Sequence, residues 1–469
     1  MTYDPSRGSC PTTQGFGNSM SGKGFSTIPP LGAAQAGPAQ KPLKQRGPRW
    51  TPAWPLAAAV AIAGCADDTQ GFGNSLSSHA QFAKAADPGP AVDRYLAVVG
   101  GDYKSTALSL LDLASLPAAG LQQAPAAWSA VLHSGSRLGP TAMALSGDVV
   151  LGQLPGQPRQ VLLVDRATAV LTQVAADSGQ VLRQVSVAAG FYANPQDALA
   201  VAADRWLVPR MGRNPKPSAA AGDFDDGDDL VAVDPLAGKL VQSLALGSLS
   251  TLPGGLAAPQ RMGLAGGLVW LPLGSFAADF KAQGPARLIA ISPSDWKVVA
   301  QVQLPGLKNC VSVRPLPGGL LLVNCQGSYA APAQQLAESA LVVVDPQTGS
   351  PTLQIPARAG DGPFGRDAVA IDGRWVAAVT LGDFASQRPD RLWLVDLTTG
   401  DRQLLSQAAE PFGYSGIWAD PWRRTLWLGE PKHALDLLRF GVDSAGAVTA
   451  GSRLSSNPGG LGALELGGL

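Results

Sequence analysis

Histidine is nearly missing from this chain, with three in 469 residues, and cysteine is scarce, with four. Together they leave too few soft ligands for a zinc-rich enzyme. Charge is sparse at 15% of residues, and it cancels: 35 basic side chains stand against 35 acidic ones. A neutral chain gives no electrostatic reason to expect nucleic acid or an anionic membrane surface as partner. There is no Gly-x-x-x-x-Gly-Lys-Ser/Thr phosphate loop, no His-Glu-x-x-His, no Gly-x-Ser-x-Gly elbow and no Cys-x-x-Cys. No stretch carries a sustained helical period. What is present is apolar, at 45%, which excludes a disordered chain. It is also rich in turn formers: 56 Gly and 39 Pro make about one residue in five. The length would allow about three domains of typical size.

Residues 1–64 hold one acidic residue, Asp4, and six basic ones, Arg7, Lys23, Lys41, Lys44, Arg46 and Arg49. Four of the six precede an apolar run from Trp50 to Ala63, which is short and interrupted by Pro52 and Pro55. A basic region, a short apolar stretch and small residues at its end describe an export signal rather than a membrane span. Ile62-Ala63-Gly64-Cys65 resembles the bacterial lipobox. That resemblance implies acylation of Cys65 and a soluble body tethered to a membrane of the bacterial envelope, expected to be the outer one. The basic cluster lies unusually far into the chain, so translation starts later, at Met20, or the signal carries an extension. The string Thr13-Gln-Gly-Phe-Gly-Asn-Ser19 recurs as Thr69 to Ser75, each copy after a cysteine; its composition suits a flexible tether, expected over 65–90.

From residue 91 the pattern changes to short apolar runs broken by Gly, Pro and Asp. One unit recurs: an apolar run, a turn that usually opens on Asp and closes on Gly, and a second apolar run. Its turns open at Asp112, Ala175, Asp234, Ser292, Asp345, Asp396 and Asp443, at spacings that fall from 63 to 47 residues. Asp accepts hydrogen bonds from turn amides, and Gly takes the left-handed position that closes a hairpin. Seven hairpins, each with a further strand pair between them, predict an all-β fold: a seven-bladed β-propeller over 91–469. Trp206, Trp270, Trp375 and Trp427 occupy equivalent places in the strand before each hairpin and are expected to pack between sheets rather than to form an aromatic binding array.

The segment from Val233 to Leu246, Val-Asp-Pro-Leu-Ala-Gly-Lys-Leu-Val-Gln-Ser-Leu-Ala-Leu, resembles the IDPATGKVVATIPVG unit of YVTN-type propellers. The YVTN strand itself is replaced here by the Trp-containing strings. The resemblance implies a seven-bladed propeller, often exported, that binds or scaffolds rather than catalyses. The same fold also hosts lactonase-like hydrolases and quinoprotein-like dehydrogenases, so a periplasmic enzyme is the alternative.

Cys310 and Cys325 flank Pro315-Leu-Pro-Gly-Gly319. Residues opposed across a hairpin have a constant index sum, and 635 is the value for a turn centred on Pro317-Gly318 and for this pair. The two thiols therefore face each other and are expected to form a disulfide, as the oxidising compartment beyond the inner membrane permits.

If strands A to D run outward from the axis, the B–C and D–A loops share one face. Aromatics follow Gly in the B–C loops, at Tyr103, Phe276, Tyr329 and Phe384, and read as recognition residues or as wedges between blades. The D–A loops carry Asn194, Asp197, Arg261, Asn309, Arg366, Asp367 and Tyr414, which vary from blade to blade and are the stronger candidates for binding an envelope protein or surface ligand. In the acidic run 223–229, Asp223, Asp225 and Asp228 suggest calcium, but Gly227 stands where a calcium loop wants a ligand; a solvated acidic loop is the competing reading. His133 and His433 have no metal-type neighbours in sequence. No catalytic constellation emerges, and no other cofactor is implied.

Overall fold

A computed structural model describes residues 95–469 apart from 103–104, 117–127, 134–144, 158, 219, 221, 330, 434, 456–460 and 462. Among the described residues, 28 strands form seven four-stranded antiparallel sheets, one per blade. The second blade runs β4 (Val149–Leu151), β5 (Gln160–Asp165), β6 (Val170–Ala175), β7 (Val181–Ser186). The third runs β8 (Leu199–Ala202), β9 (Arg205–Arg213), β10 (Gly227–Asp234), β11 (Lys239–Ala245), and the fourth β12 (Gly263–Ala265), β13 (Leu268–Leu273), β14 (Ala286–Ser292), β15 (Lys297–Leu304). The fifth comprises β16 (Cys310–Pro315), β17 (Leu321–Gln326), β18 (Ser339–Asp345), β19 (Ser350–Pro356), and the sixth β20 (Phe364–Ala370), β21 (Trp375–Thr380), β22 (Arg391–Asp396), β23 (Arg402–Gln407). The seventh holds β24 (Ile417–Asp420), β25 (Thr425–Gly429), β26 (Leu437–Val442), β27 (Val448–Leu454).

The first blade is built from both ends of the described chain. Strands β1 (Tyr95–Gly101), β2 (Thr106–Asp112) and β3 (Trp128–His133) are joined by β28 (Ala463–Gly468), which pairs with β1 through Leu96↔Gly468 to Gly100↔Ala463 and becomes its innermost strand. This closure removes the free inner edge that a seven-hairpin chain would otherwise leave. One short helix, α1 (Pro332–Ala337), lies in the B–C loop of the fifth blade. Among the described residues no helix is long and apolar enough to cross a membrane.

The middle strands read as continuous apolar runs because both faces are covered by neighbouring blades: β13 and β17 are buried at every position. The outermost strands, such as β19, are mostly exposed. The core is therefore a ring of apolar layers, one at each junction between blades. Trp206 packs where the second and third blades meet, Trp270 between the fourth and fifth, and Trp427 between the seventh and first. Trp375 differs. It is only partly buried, sits under the Arg374 guanidinium at 4.7 Å, and donates to the Ser444 carbonyl.

The hairpin turns form as their residues require. Asp234 Oδ1 accepts from the amides of Leu236 and Ala237, and Asp443 Oδ1 from those of Ala445 and Ala447. Gly238, Gly349 and Gly400 hold φ between 65° and 73°. In the fourth blade Trp296 stands at that position with φ 55°, its side chain buried in the adjacent layer.

Cys310 and Cys325 are bonded and directly opposed in the β16–β17 pair. The index sum that aligned them holds only at the cysteines. From Ser312 to Pro315 the sum is 636, and a bulge at Val311 restores 635 at the bridge.

Candidate binding site at the mouth of the channel

In the third to seventh blades short A–B and C–D turns gather on one face and the longer B–C and D–A loops on the other; in the second blade the lengths are reversed, with an A–B segment over 152–159 and a B–C turn of only 166–169. Two cavities lie along the axis between the two faces. The upper one, about 400 Å³, opens among the B–C and D–A loops and is lined on one side by Val379, Leu381, Phe412 and Ile417. The lower one, about 570 Å³, opens among the A–B turns beside Pro155, Pro315 and Pro421. Arg261 and Glu465 line both, so this pair forms the partition between them.

The partition is an ionic network made by the heads of the innermost strands. Arg261, entering β12, reaches across the axis: Nη1 donates to Asp367 Oδ2 at 2.8 Å, and Nη2 faces Glu465 of the closing strand. Asp367 also accepts from Arg314 Nη2 at 2.7 Å, which ties the fourth, fifth, sixth and first blades together. Burial alone would favour the neutral acid, but the Arg314 and Arg261 guanidinium groups hold Asp367 below its ordinary range. Asp197, entering β8, is held differently. Its carboxylate accepts from Gln153 Nε2 and the amides of Ala198 and Met262, and burial pushes its pKa up despite Arg261 nearby.

Arg366 and Asp367 are consecutive, yet both line the upper cavity. In a regular strand they would point to opposite faces. The register of β20 against β21 is irregular between Phe364 and Ala368, which re-aims both toward the axis. Across the cavity, Arg166 from the β5–β6 turn donates through Nε to Asp148 Oδ1 at 2.9 Å.

The loops above the network are pinned by buried oxygens at the start of the third strand in four of the blades, the third, fifth, sixth and seventh. Asp228 accepts from the amides of Ala257 and Ala258 and from Arg213. Asp390 accepts from Gly382, Phe412 and Tyr414, Asp436 from Ala463, and Ser339 Oγ from Phe364. These staples hold strained corners: Ala258 and Phe412 sit at φ 53° and 54° without being glycine.

The D–A residues expected to share a surface thus divide. Asp197, Arg261, Arg366, Asp367 and Tyr414 gather at the channel; Tyr414 is anchored through its hydroxyl to Ser406 Oγ, and burial pushes its pKa to about 12. Asn194 and Asn309 instead build corners at φ 47° and 49°, bonded to Gln196 and Gln326 respectively. Phe276 is buried as a wedge, whereas Tyr329, 6.3 Å from it, and Phe384, 5.2 Å from Phe412, remain exposed. Tyr103 and Cys65 lie outside the described residues. The acidic run does not converge: Asp228 and Asp229 turn inward, the latter onto Arg210 at 2.6 Å, Asp225 accepts from Asn214 and Ser218, and Asp223 is exposed. Among the described residues no cluster of three metal-ligating side chains occurs. Sequence reasoning missed Asp148, Gln153, Arg166, Arg314 and Glu465. A usable signal existed for two of them, since Arg314 and Glu465 are the single charges of their innermost strands.

No protein-family profile matches the sequence, and no curated protein matches it. Solved structures do. A putative 6-phosphogluconolactonase from Bacteroides fragilis is similar at 10% identity and TM-score 0.50, covering 82% of this chain and 100% of that one. A putative 6-phosphogluconolactonase from Bacteroides uniformis is similar at 12% identity and TM-score 0.48, covering 77% and 98%. A functionally unknown protein from Desulfotomaculum acetoxidans gives 11% identity and TM-score 0.47, covering 80% and 98%. At such identities the likeness speaks for the propeller fold alone.

Proposed function

We propose that this chain is a recognition module of the bacterial envelope, tethered through acyl chains on Cys65, that binds its ligand in the upper cavity without transforming it. The observation that carries the reading is the shape and lining of that cavity. It is a concave site with an ionic floor and an apolar wall, bordered by loops that differ from blade to blade, which is the composition of ligand sites in general. The staples under its rim fix the loops in advance, which lowers the ordering cost of binding.

Native mass spectrometry of the full chain exposed to a small-molecule extract tests the reading, with Leu381→Trp as the variant that fills the cavity. The wild type should retain a molecule that Leu381→Trp does not, and should release it chemically unchanged. Retention by both proteins, or release of a converted product, sinks the reading and favours a propeller enzyme. The tether is tested separately: Cys65→Ser should move the protein from the membrane to the soluble fraction.

A further inference from the structure

Among the described residues Arg366 has no hydrogen-bond or ion-pair partner, although it lies in the wall of a cavity full of carboxylates. Those carboxylates are all committed. Asp148 belongs to Arg166, Asp367 to Arg314 and Arg261, and Glu465 to Arg261. Lys432 at the rim reaches outward to Glu410. One guanidinium is left over, aimed at the cavity by the irregular register of β20, and the surface beside it is apolar: Val379, Leu381 and Phe412, with the Phe384 ring tilted against Phe412 at 5.2 Å.

Building on the reading of the upper cavity as a binding site, we propose that its ligand is a small organic monocarboxylate, whose carboxylate takes the fork of Arg366 and whose apolar body lies against Leu381 and Phe412. A guanidinium presents paired N–H donors in the plane that a carboxylate accepts. One uncompensated positive charge calls for one negative charge, and a phosphomonoester, which carries nearly two, would leave an excess. The field at Arg366 points the same way. Burial, together with Arg261 and Arg166, pushes it well below its ordinary pKa, and these cations outweigh Asp367 and Asp148. An arriving anion relieves that field.

The test is calorimetric titration of the full chain with acetate through octanoate, benzoate and phenylacetate, each beside its amide, and with phenyl phosphate. Some of the acids should bind and their amides should not. Arg366→Met should weaken the binding by about ten- to a hundred-fold, and Arg366→Lys, which keeps the charge and loses the fork, by less. Without ligand, Arg366→Met should melt about 2 °C or more higher, because an unpaired cation has been replaced by an apolar chain. Amides binding as well as acids, phenyl phosphate binding in place of the acids, no acid binding at all, or a lower melting point for Arg366→Met each overturns the proposal. The recognition reading survives those results if Leu381→Trp still abolishes retention from the extract, so the two fail separately.

Discussion

Asp390 offers the sharpest test of how the rim of the cavity is held. Its side chain is fully buried and accepts three backbone hydrogen bonds, from Gly382 at 2.5 Å and from Phe412 and Tyr414 at 3.0 Å each. It joins a B–C loop to the following D–A loop. Asp390→Ala removes the acceptor from all three amides, and each donor left buried costs about 1–3 kcal/mol. Relief of the buried charge offsets part of that sum, so the net loss should be about 3–5 kcal/mol at neutral pH. Burial raises the Asp390 pKa above its ordinary 3.8 despite the three donors. A raised acid contributes most below its unfolded value, and the contribution falls as pH rises through the folded value. The difference between wild type and variant should therefore be larger at pH 4 than at pH 7. Urea unfolding of both proteins at the two pH values, compared at constant slope, reads the difference directly. Hydrogen exchange should accelerate over 411–416. A loss below about 1 kcal/mol, or one that shrinks on acidification, would falsify the staple argument.

Three further outcomes are expected. Asp396 is held at a pKa of about 2, chiefly by Arg374. Its contribution is present above the ordinary 3.8 and is lost between pH 4 and 2, so Asp396→Asn should flatten the acid limb of the stability curve there and leave neutral stability less affected. Replacing Cys310 and Cys325 with serine should cost about 3 kcal/mol or more, measured by denaturant midpoint under oxidising conditions, and the difference should shrink, without vanishing, once both proteins are reduced, because the two buried positions then hold hydroxyls in place of thiols. Asp228→Ala should lower stability by about 2–4 kcal/mol to the same extent in calcium and in chelator, because its carboxylate serves Ala257, Ala258 and Arg213; a calcium-dependent loss would restore the metal reading.

Blade number, hairpin turns and the cysteine pairing were legible because each is a local or periodic property. Asp at a turn, Gly four residues on and two thiols across a hairpin all act within about twenty residues. The ionic partition was not legible. Arg261 meets Asp367 and Glu465 only because the ring brings the fourth, sixth and first blades to one axis, and no spacing along the chain encodes that meeting. The acidic run was seen as a charge cluster, while the inward turn of Asp228 depends on where the next blade's loop comes to rest. The aromatics show the same boundary: one B–C motif yields a buried Phe276 and an exposed Phe384, since burial is set by the neighbouring loop rather than by the motif.

The closing strand has a consequence for how the site comes into being. Glu465 supplies part of the partition, yet it stands on β28, at the opposite end of the described chain from its partner β1. A polypeptide emerging from its N-terminal end carries Arg261 long before it carries the carboxylate that Arg261 will face. Until β28 arrives, the first blade lacks its innermost strand and the partition lacks one of its two carboxylates. The upper cavity is therefore completed only when β28 is in place, and a product that stops short of β28 has a partition without the carboxylate that faces Arg261 Nη2.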